Sequence, residues 1–217
     1  MSPTNDITKE GVKLLIVEGR DEQLFFEAAL RVHLGLTDIQ VMAVGGKTRL
    51  TRSLEILVND IHFPTIPSMA VVRDADSPIG VAATPGGAIS EADKAFRSAC
   101  GSLRHVGLSC PPAHGQFSDG PPRVGVFIVP NGTDDGMLET LCLHSVSTLP
   151  EFPCVDAYFQ CLQAHQIAPK SLHKARAHAW LASRPEPDRR VGEAAQAGYW
   201  PWNSQAFDNL WAFLRSM

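Results

Sequence analysis

Four short apolar runs divide the first two thirds of the chain, and each of them includes valine. Runs of this length and composition are typical of parallel strands that are buried on both faces of a sheet. The runs cover residues 12–17, 39–44, 69–72 and 124–129. Segments with apolar residues at helical spacing follow them, at residues 21–34, 50–61, 90–103 and 137–145. This alternation predicts an α/β fold, in which helices flank both faces of a mostly parallel, four-stranded sheet.

The chain after Pro150 has no strand pattern and is predicted to be helical. The expected helices cover residues 154–165, 169–182 and 205–216. The sequence therefore divides into an α/β domain, residues 1–149, and a helical C-terminal extension, residues 150–217. All four tryptophans lie in this extension. We interpret them as aromatic contacts that pack the extension onto the sheet, with base stacking as the alternative.

Composition and charge narrow the class of protein. The chain is 44% apolar and 19% charged, with a formal net charge of −4, which is typical of a folded, soluble protein. A net negative charge disfavours a protein that coats nucleic acid nonspecifically, although a local basic patch is compatible with it. The segment 104–123, rich in Pro, Gly and His, is predicted to form a long surface loop.

The cysteine pattern and the absence of a long apolar run indicate where in the cell the protein is located. The cysteine count is odd and no pair has C-x-x-C spacing, so we expect five reduced thiols, with no disulfide and no zinc site. No run of the sequence approaches the length of a membrane span. We therefore expect a cytoplasmic protein without membrane contact.

Carboxylates follow three of the four predicted strands. Glu18 follows the first strand, with Glu22 one helical turn later, and Asp74 and Asp76 follow the third. Glu139 comes after the fourth strand. In a parallel sheet these strand ends meet at one edge, and the spacing of Asp74 and Asp76 in extended backbone places both side chains on the same side.

Such a set of acids predicts a divalent-metal site. Two like charges about 4 Å apart repel by roughly 4 kcal/mol at an effective dielectric of ~20, so the cluster must be protonated, spread apart or neutralised by cations. Ligands that are all carboxylate oxygens suit Mg²⁺ or Mn²⁺. The alternative is that these residues are solvated acids of loops and helix caps.

A glycine-rich turn follows the second predicted strand, at Gly45 and Gly46, and leads to Lys47. The sequence Gly46-Lys47-Thr48 matches the end of a P-loop, but the first glycine of that motif is replaced by Val41, which excludes a P-loop. A helix that begins after this turn and carries basic residues favours phosphate binding at Gly45, Gly46 and Lys47. For Arg49 and Arg52 taken alone, a solvated basic helix face is an equally good interpretation.

Taken together, these motifs resemble a known domain. The run from Leu14 to Gly19, with Glu22, Gly45-Gly46 and Asp74-Ala75-Asp76, resembles the Toprim domain of topoisomerases and primases over roughly residues 12–144. The chain is most similar to small bacterial Toprim-like proteins and to the Toprim part of OLD-family nucleases. The segment Lys170–Ala175 is similar to the helical extension of those small proteins.

The resemblance implies a role for each acid. Glu18 matches the glutamate that binds metal or acts as general acid/base, and Asp74 and Asp76 match the metal-binding pair. Glu22 and Glu139 match the acids that hold a second metal in the OLD-type nucleases. The resemblance therefore implies two Mg²⁺ or Mn²⁺ ions, which clamp the attacking and leaving oxygens of a phosphodiester.

The function that follows is a metal-dependent phosphodiesterase, or nuclease, that acts on DNA or RNA. Lys170 or Lys174 matches a lysine near the scissile phosphate, and Lys174 is the preferred assignment. A role in phage defence or DNA repair, an ATPase or helicase partner, and a homo-oligomer are all compatible with this resemblance, because the chain carries only the metal-handling unit.

Two other functions stay open. One is a non-catalytic module that binds a cation or a nucleotide within a larger complex. The other is a phosphatase of the haloacid-dehalogenase kind, in which Asp74 is the nucleophile of the D-x-D motif. The phosphatase is disfavoured, because its motif ends the first strand and here the motif follows the third.

Overall fold

A computed structural model describes residues 6–76 and 89–217 of the chain. In these ranges, four strands form one sheet in which every pairing is parallel. The strands are β1 (Lys13–Val17), β2 (Ile39–Ala43), β3 (Ser68–Asp74) and β4 (Arg123–Val129). Their order across the sheet is β2-β1-β3-β4, so β1 and β3 are central. The predicted α/β class is confirmed, and the parallel sheet is consistent with a Toprim-like fold.

The helices of the described ranges follow the predicted order, with one addition. They are α1 (Arg20–Ala28), α2 (Leu50–Leu57), α3 (Glu91–His105), α4 (Leu138–Val146), α5 (Phe152–Ala164), α6 (Leu172–Leu181), α7 (Val191–Gln196) and α8 (Asp208–Arg215). A π-helical segment, Ala29–Leu34, extends α1, and short 3₁₀ turns cover Lys47–Arg49, Phe63–Thr65 and Gln205–Phe207. None of these helices combines the length and the apolar character that crossing a bilayer requires.

Each face of the sheet has its own hydrophobic core, because successive strand residues point to opposite faces. Leu14 and Ile16 of β1 belong to the core that α2 and α3 cover. Leu15 and Val17 belong to the other core, which contains α1, α4 and the C-terminal helices α5 to α8. The C-terminal helices thus complete the burial of one sheet face.

Tryptophan contacts hold the C-terminal helices together within that second core. Trp180 and Trp200 are buried, and their rings stack with centroids 4.7 Å apart. Trp211 donates its indole N–H to the backbone oxygen of Trp202 at 2.9 Å. The interpretation of the tryptophans as packing residues is confirmed.

Several predicted boundaries are wrong in detail. Helix α6 begins at Leu172, three residues after the predicted Pro169. Ile61, which was expected on the apolar face of the second helix, lies beyond α2 and is 85% exposed. Helix α7 was not predicted, because it has six residues and small side chains. Its Gly192 packs so closely on α1 that an added Cβ would lie 2.3 Å from the backbone oxygen of Asp21.

The long segment between α3 and β4 covers the outer edge of the sheet. Gly115 and Ser118 donate backbone N–H groups to carbonyl oxygens of β4, each at 2.8 Å. The Nδ1 atom of His114 accepts the backbone N–H of Ile128 at 2.9 Å. The predicted loop is therefore packed against β4, and it protects an edge strand that would otherwise be open to pairing.

The prediction of five reduced thiols is wrong for two cysteines. Cys100 and Cys110 form a disulfide, with their Cα atoms 5.1 Å apart. The pair meets because α3 ends beside Gly107, whose φ of 79° turns the chain back along the helix. The N–H of Leu108 then donates to Leu103 at 3.0 Å, which closes the turn. The two cysteines are ten residues apart in the sequence, and this spacing does not indicate that the chain turns back and brings them together.

Candidate functional site

The candidate site lies at the edge of the sheet where the four strands end, as the topology rule for parallel sheets requires. Glu18 follows β1 directly, and its backbone oxygen accepts the N–H of Gly46 at 2.7 Å. The turn at Gly45 and Gly46 has φ values of 80° and 114°, which glycine adopts readily. This turn therefore lies directly beside Glu18.

Asp74 is anchored between β3 and α4. Its Oδ1 accepts the backbone N–H of Leu138, the first residue of α4, at 3.0 Å. A carboxylate at this position is stabilised by the positive end of the helix dipole. This hydrogen bond joins the end of β3 to the beginning of α4, where Glu139 is the next residue.

Burial and mutual repulsion perturb the acids at this edge. Burial raises the pKa of Asp74 well above its ordinary value, and the carboxylates of Glu22, Glu18 and Glu139 raise it further. Burial also raises the pKa of Glu22, with additional repulsion from Glu139 and Glu18. Three of the other predicted metal ligands therefore lie close enough to Asp74 to raise its pKa.

A glycine makes room for one of these carboxylates. The chain enters α1 through Gly19, and an added Cβ at this position would lie 2.9 Å from Oε2 of Glu22. The side chain of Glu22 therefore curls back over Gly19 towards the sheet. Because the contact is with the end of a flexible side chain, a larger residue at Gly19 would displace the Glu22 carboxylate and leave the backbone in place.

An arginine that the sequence analysis did not single out is part of the site. Arg73 is only 7% exposed, and its Nε donates to Oε1 of Glu18 at 3.2 Å. Its Nη1 donates to the hydroxyl of Ser98 on α3 at 3.0 Å. The signal was present, since a charged residue occupies a core position of an otherwise apolar strand. Alternation along β3 places Arg73 on the face opposite Asp74.

The expected pairing of Asp74 with Asp76 does not hold. Strand β3 ends at Asp74, and Asp76 has a φ of 59°, so the alternation of extended backbone stops between them. The Oδ2 atom of Asp76 instead binds the ammonium of Lys47 at 2.7 Å, and both side chains are about half exposed. The structure thus separates Asp76 from the buried acids and pairs it with a predicted phosphate ligand. This pairing raises the pKa of Lys47.

The C-terminal extension contributes to the same edge through α6. The ammonium of Lys174 lies 3.8 Å from Oε1 of Glu139, and this lysine is 57% exposed. Lys170 and Lys174 both line a cleft of about 1200 Å³ between α6 and the carboxyl edge of the sheet. The structure therefore brings Lys174 to the acids, whereas Lys170 lies further along the cleft.

The chemistry of the side chains suits a hard cation, but the side chains are not arranged around one. All the acids at this edge are oxygen donors, which Mg²⁺ and Mn²⁺ prefer. Burial raises the pKa of the Cys142 thiol, and repulsion from Glu139 and Asp74 raises it further, so this buried cysteine lies close to the acids of the site. Within residues 6–76 and 89–217, no three Asp, Glu, His or Cys side chains lie in a ready metal-binding geometry.

Comparisons with known proteins give one result. No curated protein and no solved structure matches the chain significantly. A family model described as "Protein of unknown function (DUF3226)" matches residues 12–217. The match runs from the start of the sheet to the last residue and so includes every acid of the site and the helices that carry Lys170 and Lys174. The chain belongs to this family.

Proposed function

We propose that the chain is a divalent-metal-dependent phosphodiesterase that acts on nucleic acid. The observation that carries this proposal is the convergence of Glu18, Glu22, Asp74 and Glu139 at one edge of the sheet, where burial and then mutual repulsion raise the pKa of Asp74 and Glu22. Folding brings like charges together at one edge of the sheet, and their repulsion destabilises the folded state. A bound cation offsets this repulsion. The resemblance to Toprim nucleases supports the same conclusion.

The structure favours three of the acids as first ligands of the metal. Glu22, Asp74 and Glu139 come from α1, β3 and α4, on the sheet face that the C-terminal helices cover. Without a counter-ion, like-charged carboxylates turn apart, so we expect their side chains to rotate inwards when Mg²⁺ or Mn²⁺ binds. A second ion would need Glu18 to leave Arg73 and Asp76 to leave Lys47.

The remaining residues of the site have roles that follow from their charge. A bound divalent ion supplies positive charge for the phosphate oxygens and lowers the pKa of an attacking water. Glu18, held by Arg73, is the candidate general acid/base. Lys174 is the candidate that neutralises charge on the scissile phosphate. Gly45, Gly46 and Lys47 are candidates for a neighbouring phosphate.

The test is cleavage of end-labelled DNA and RNA by the purified protein in Mn²⁺, Mg²⁺ or EDTA. We expect cleavage with either metal and none with EDTA. Asp74→Asn and Glu18→Gln should each lower the rate at least about 100-fold, as loss of a catalytic group commonly does. Asp119→Asn, an exposed residue of the loop before β4, is the matched control and should cleave like the wild type. Full activity in the Asp74 variant would assign the cleavage to a contaminant.

A second candidate function is a non-catalytic module that binds a cation or a nucleotide within a larger assembly, with an ATPase or helicase as partner. The observation that favours it is the engagement of Glu18 by Arg73 and of Asp76 by Lys47. Metal-dependent stabilisation without turnover of any nucleic acid would select this candidate. The phosphatase alternative stays disfavoured, because its motif ends the first strand of the fold and here Asp74 ends the third strand.

A cytoplasmic location is part of the proposal, and the disulfide between Cys100 and Cys110 bears on it. Disulfides are rare in the reducing cytoplasm. Thiol titration of the protein isolated from its host under rapid alkylation would show whether this pair is oxidised there. An oxidised pair in the cell would contradict the cytoplasmic assignment.

A further inference from the structure

The cleft beside the candidate site has two walls of different character. One wall is the carboxyl edge of the sheet, which contributes Lys47, Asp76 and Asp135. The other wall is formed by the end of α5, the beginning of α6 and the segment between them. The cleft volume of about 1200 Å³ is slightly above the ~300–1,000 Å³ typical of small-molecule pockets. The space therefore suits a ligand of a few nucleotide units.

The helical wall is basic. Lys170, Lys174 and Arg176 line it within seven consecutive residues, together with His173. Asp156 lines the same wall, and it forms an ion pair with Arg176. The opposite wall carries Asp76 and Asp135, and Lys174 also lies 3.8 Å from Glu139, so a phosphodiester bound by Lys174 would lie beside one acid of the candidate metal site.

Exposed apolar side chains lie on the same wall as the lysines. Ile167 is 55% exposed and Leu172 is 47% exposed, and the ring of Phe159 also lines the cleft. A duplex presents its phosphates outwards and keeps its bases stacked inside. The exposed apolar side chains of the cleft would therefore bury little surface against a duplex. A single strand exposes the faces of its bases, which pack well against apolar side chains.

From this combination we infer that the cleft takes a single-stranded segment of nucleic acid in preference to a duplex. Lys170 and Lys174 contact successive phosphates, and bases lie against Ile167 and Leu172. The inference rests on the proposed function and narrows its substrate to single strands, ends or unpaired regions. It places the strand along α6, so that the backbone passes Glu139.

The test is fluorescence anisotropy with a labelled oligonucleotide of about 12 nucleotides, which lies in the range of known single-strand site sizes. The same oligonucleotide is measured alone and annealed to its complement, in EDTA, so that no cleavage accompanies binding. We expect at least tenfold tighter binding of the single strand. The salt dependence of the affinity should show several phosphate contacts, each contributing about 0.7 to the log–log slope.

Two variants separate the basic and apolar contributions. Lys170→Ala should weaken binding and lower the salt slope by about 0.7, which is one phosphate contact. Leu172→Ser should weaken binding of the single strand severalfold without changing the salt slope. The control is Lys94→Ala, a lysine on α3 that pairs with Glu91 away from the cleft, and it should bind like the wild type.

Equal or tighter binding of the duplex would overturn the inference, and so would wild-type affinity in both cleft variants. These outcomes are distinguishable from failure of the proposed function. Strand preference is measured without cleavage, so an inactive protein that prefers single strands supports the inference alone. Metal-dependent cleavage by a protein without strand preference supports the proposed function alone.

Discussion

Replacing Asp74 with asparagine should stabilise the metal-free protein at neutral pH. The carboxyl of Asp74 is partly buried and lies near Glu18, Glu22 and Glu139, and both effects raise its pKa well above the ordinary value. Asparagine has nearly the same shape, and its Oδ1 can still accept the N–H of Leu138. The substitution therefore removes the repulsion and the burial of a charge but keeps the structural hydrogen bond.

The direction and the size of this change in stability follow from the difference in proton binding between the folded and unfolded states. In the unfolded chain Asp74 loses its proton near pH ~3.9, whereas the folded protein holds that proton to a higher pH. Between these two pKa values the folded state holds more protons on Asp74, so the contribution of Asp74 to stability falls as the pH rises. Each unit of difference corresponds to about 1.4 kcal/mol, or roughly 3–6 °C in melting temperature for a domain of this size.

The assay is thermal unfolding followed by circular dichroism between pH 4 and pH 8, in EDTA. The stability of the wild type relative to Asp74→Asn should fall as the pH rises, because the comparison cancels the titration of groups that the two proteins share. Asp119→Asn should follow the wild-type curve. If the Asp74→Asn curve runs parallel to the wild type, or lies below it at every pH, the carboxylates do not converge as described.

The other predictions concern metal, packing and the disulfide. Mn²⁺ at ~100 times its dissociation constant should add about 2.7 kcal/mol to the free energy of unfolding, which calorimetry would record as a rise of roughly 5–10 °C in melting temperature. Asp74→Asn should lose most of this rise. A wild-type melting temperature that Mn²⁺ does not change would contradict a metal site. Gly192→Ala should lower the free energy of unfolding by about 1–3 kcal/mol, because the new Cβ would overlap the backbone of Asp21. Urea titration measures this change, and an unchanged midpoint would contradict the close packing. Cys110→Ser should lower the free energy of unfolding by about 2–3 kcal/mol, because the loop to Cys100 is no longer closed. A melting temperature that neither this substitution nor a reductant changes would contradict the disulfide.

The order of strands and helices was predictable from the sequence, because strands buried on both faces are read as continuous apolar runs. Val41 to Ala43 of β2 and Val124 to Val129 of β4 are buried, as such runs require. The N-terminal cap of α3 was also predictable, since Ser90 accepts the N–H of Asp93 at 3.0 Å. Helix α7 was not, because its stability comes from contact with α1 and its own pattern is weak.

The site was predictable in part. Topology places strand ends together, so the convergence of Glu18, Glu22, Asp74 and Glu139 follows from the positions of the strands. The partner of each carboxylate depends on single backbone angles and on side chains from other elements. The left-handed φ of Asp76 turns it to Lys47, and no local pattern indicates that angle.

An anomalous difference map from a crystal soaked in Mn²⁺ tests the central claim most directly, since it locates the ion and names its ligands. The account predicts a peak between Asp74, Glu22 and Glu139, with these carboxylates rotated inwards from their metal-free positions. It also predicts that Glu18 keeps its contact with Arg73 when a single ion is bound. A map without a peak at this edge, from crystals that bind Mn²⁺ elsewhere or not at all, would contradict the metal-dependent function.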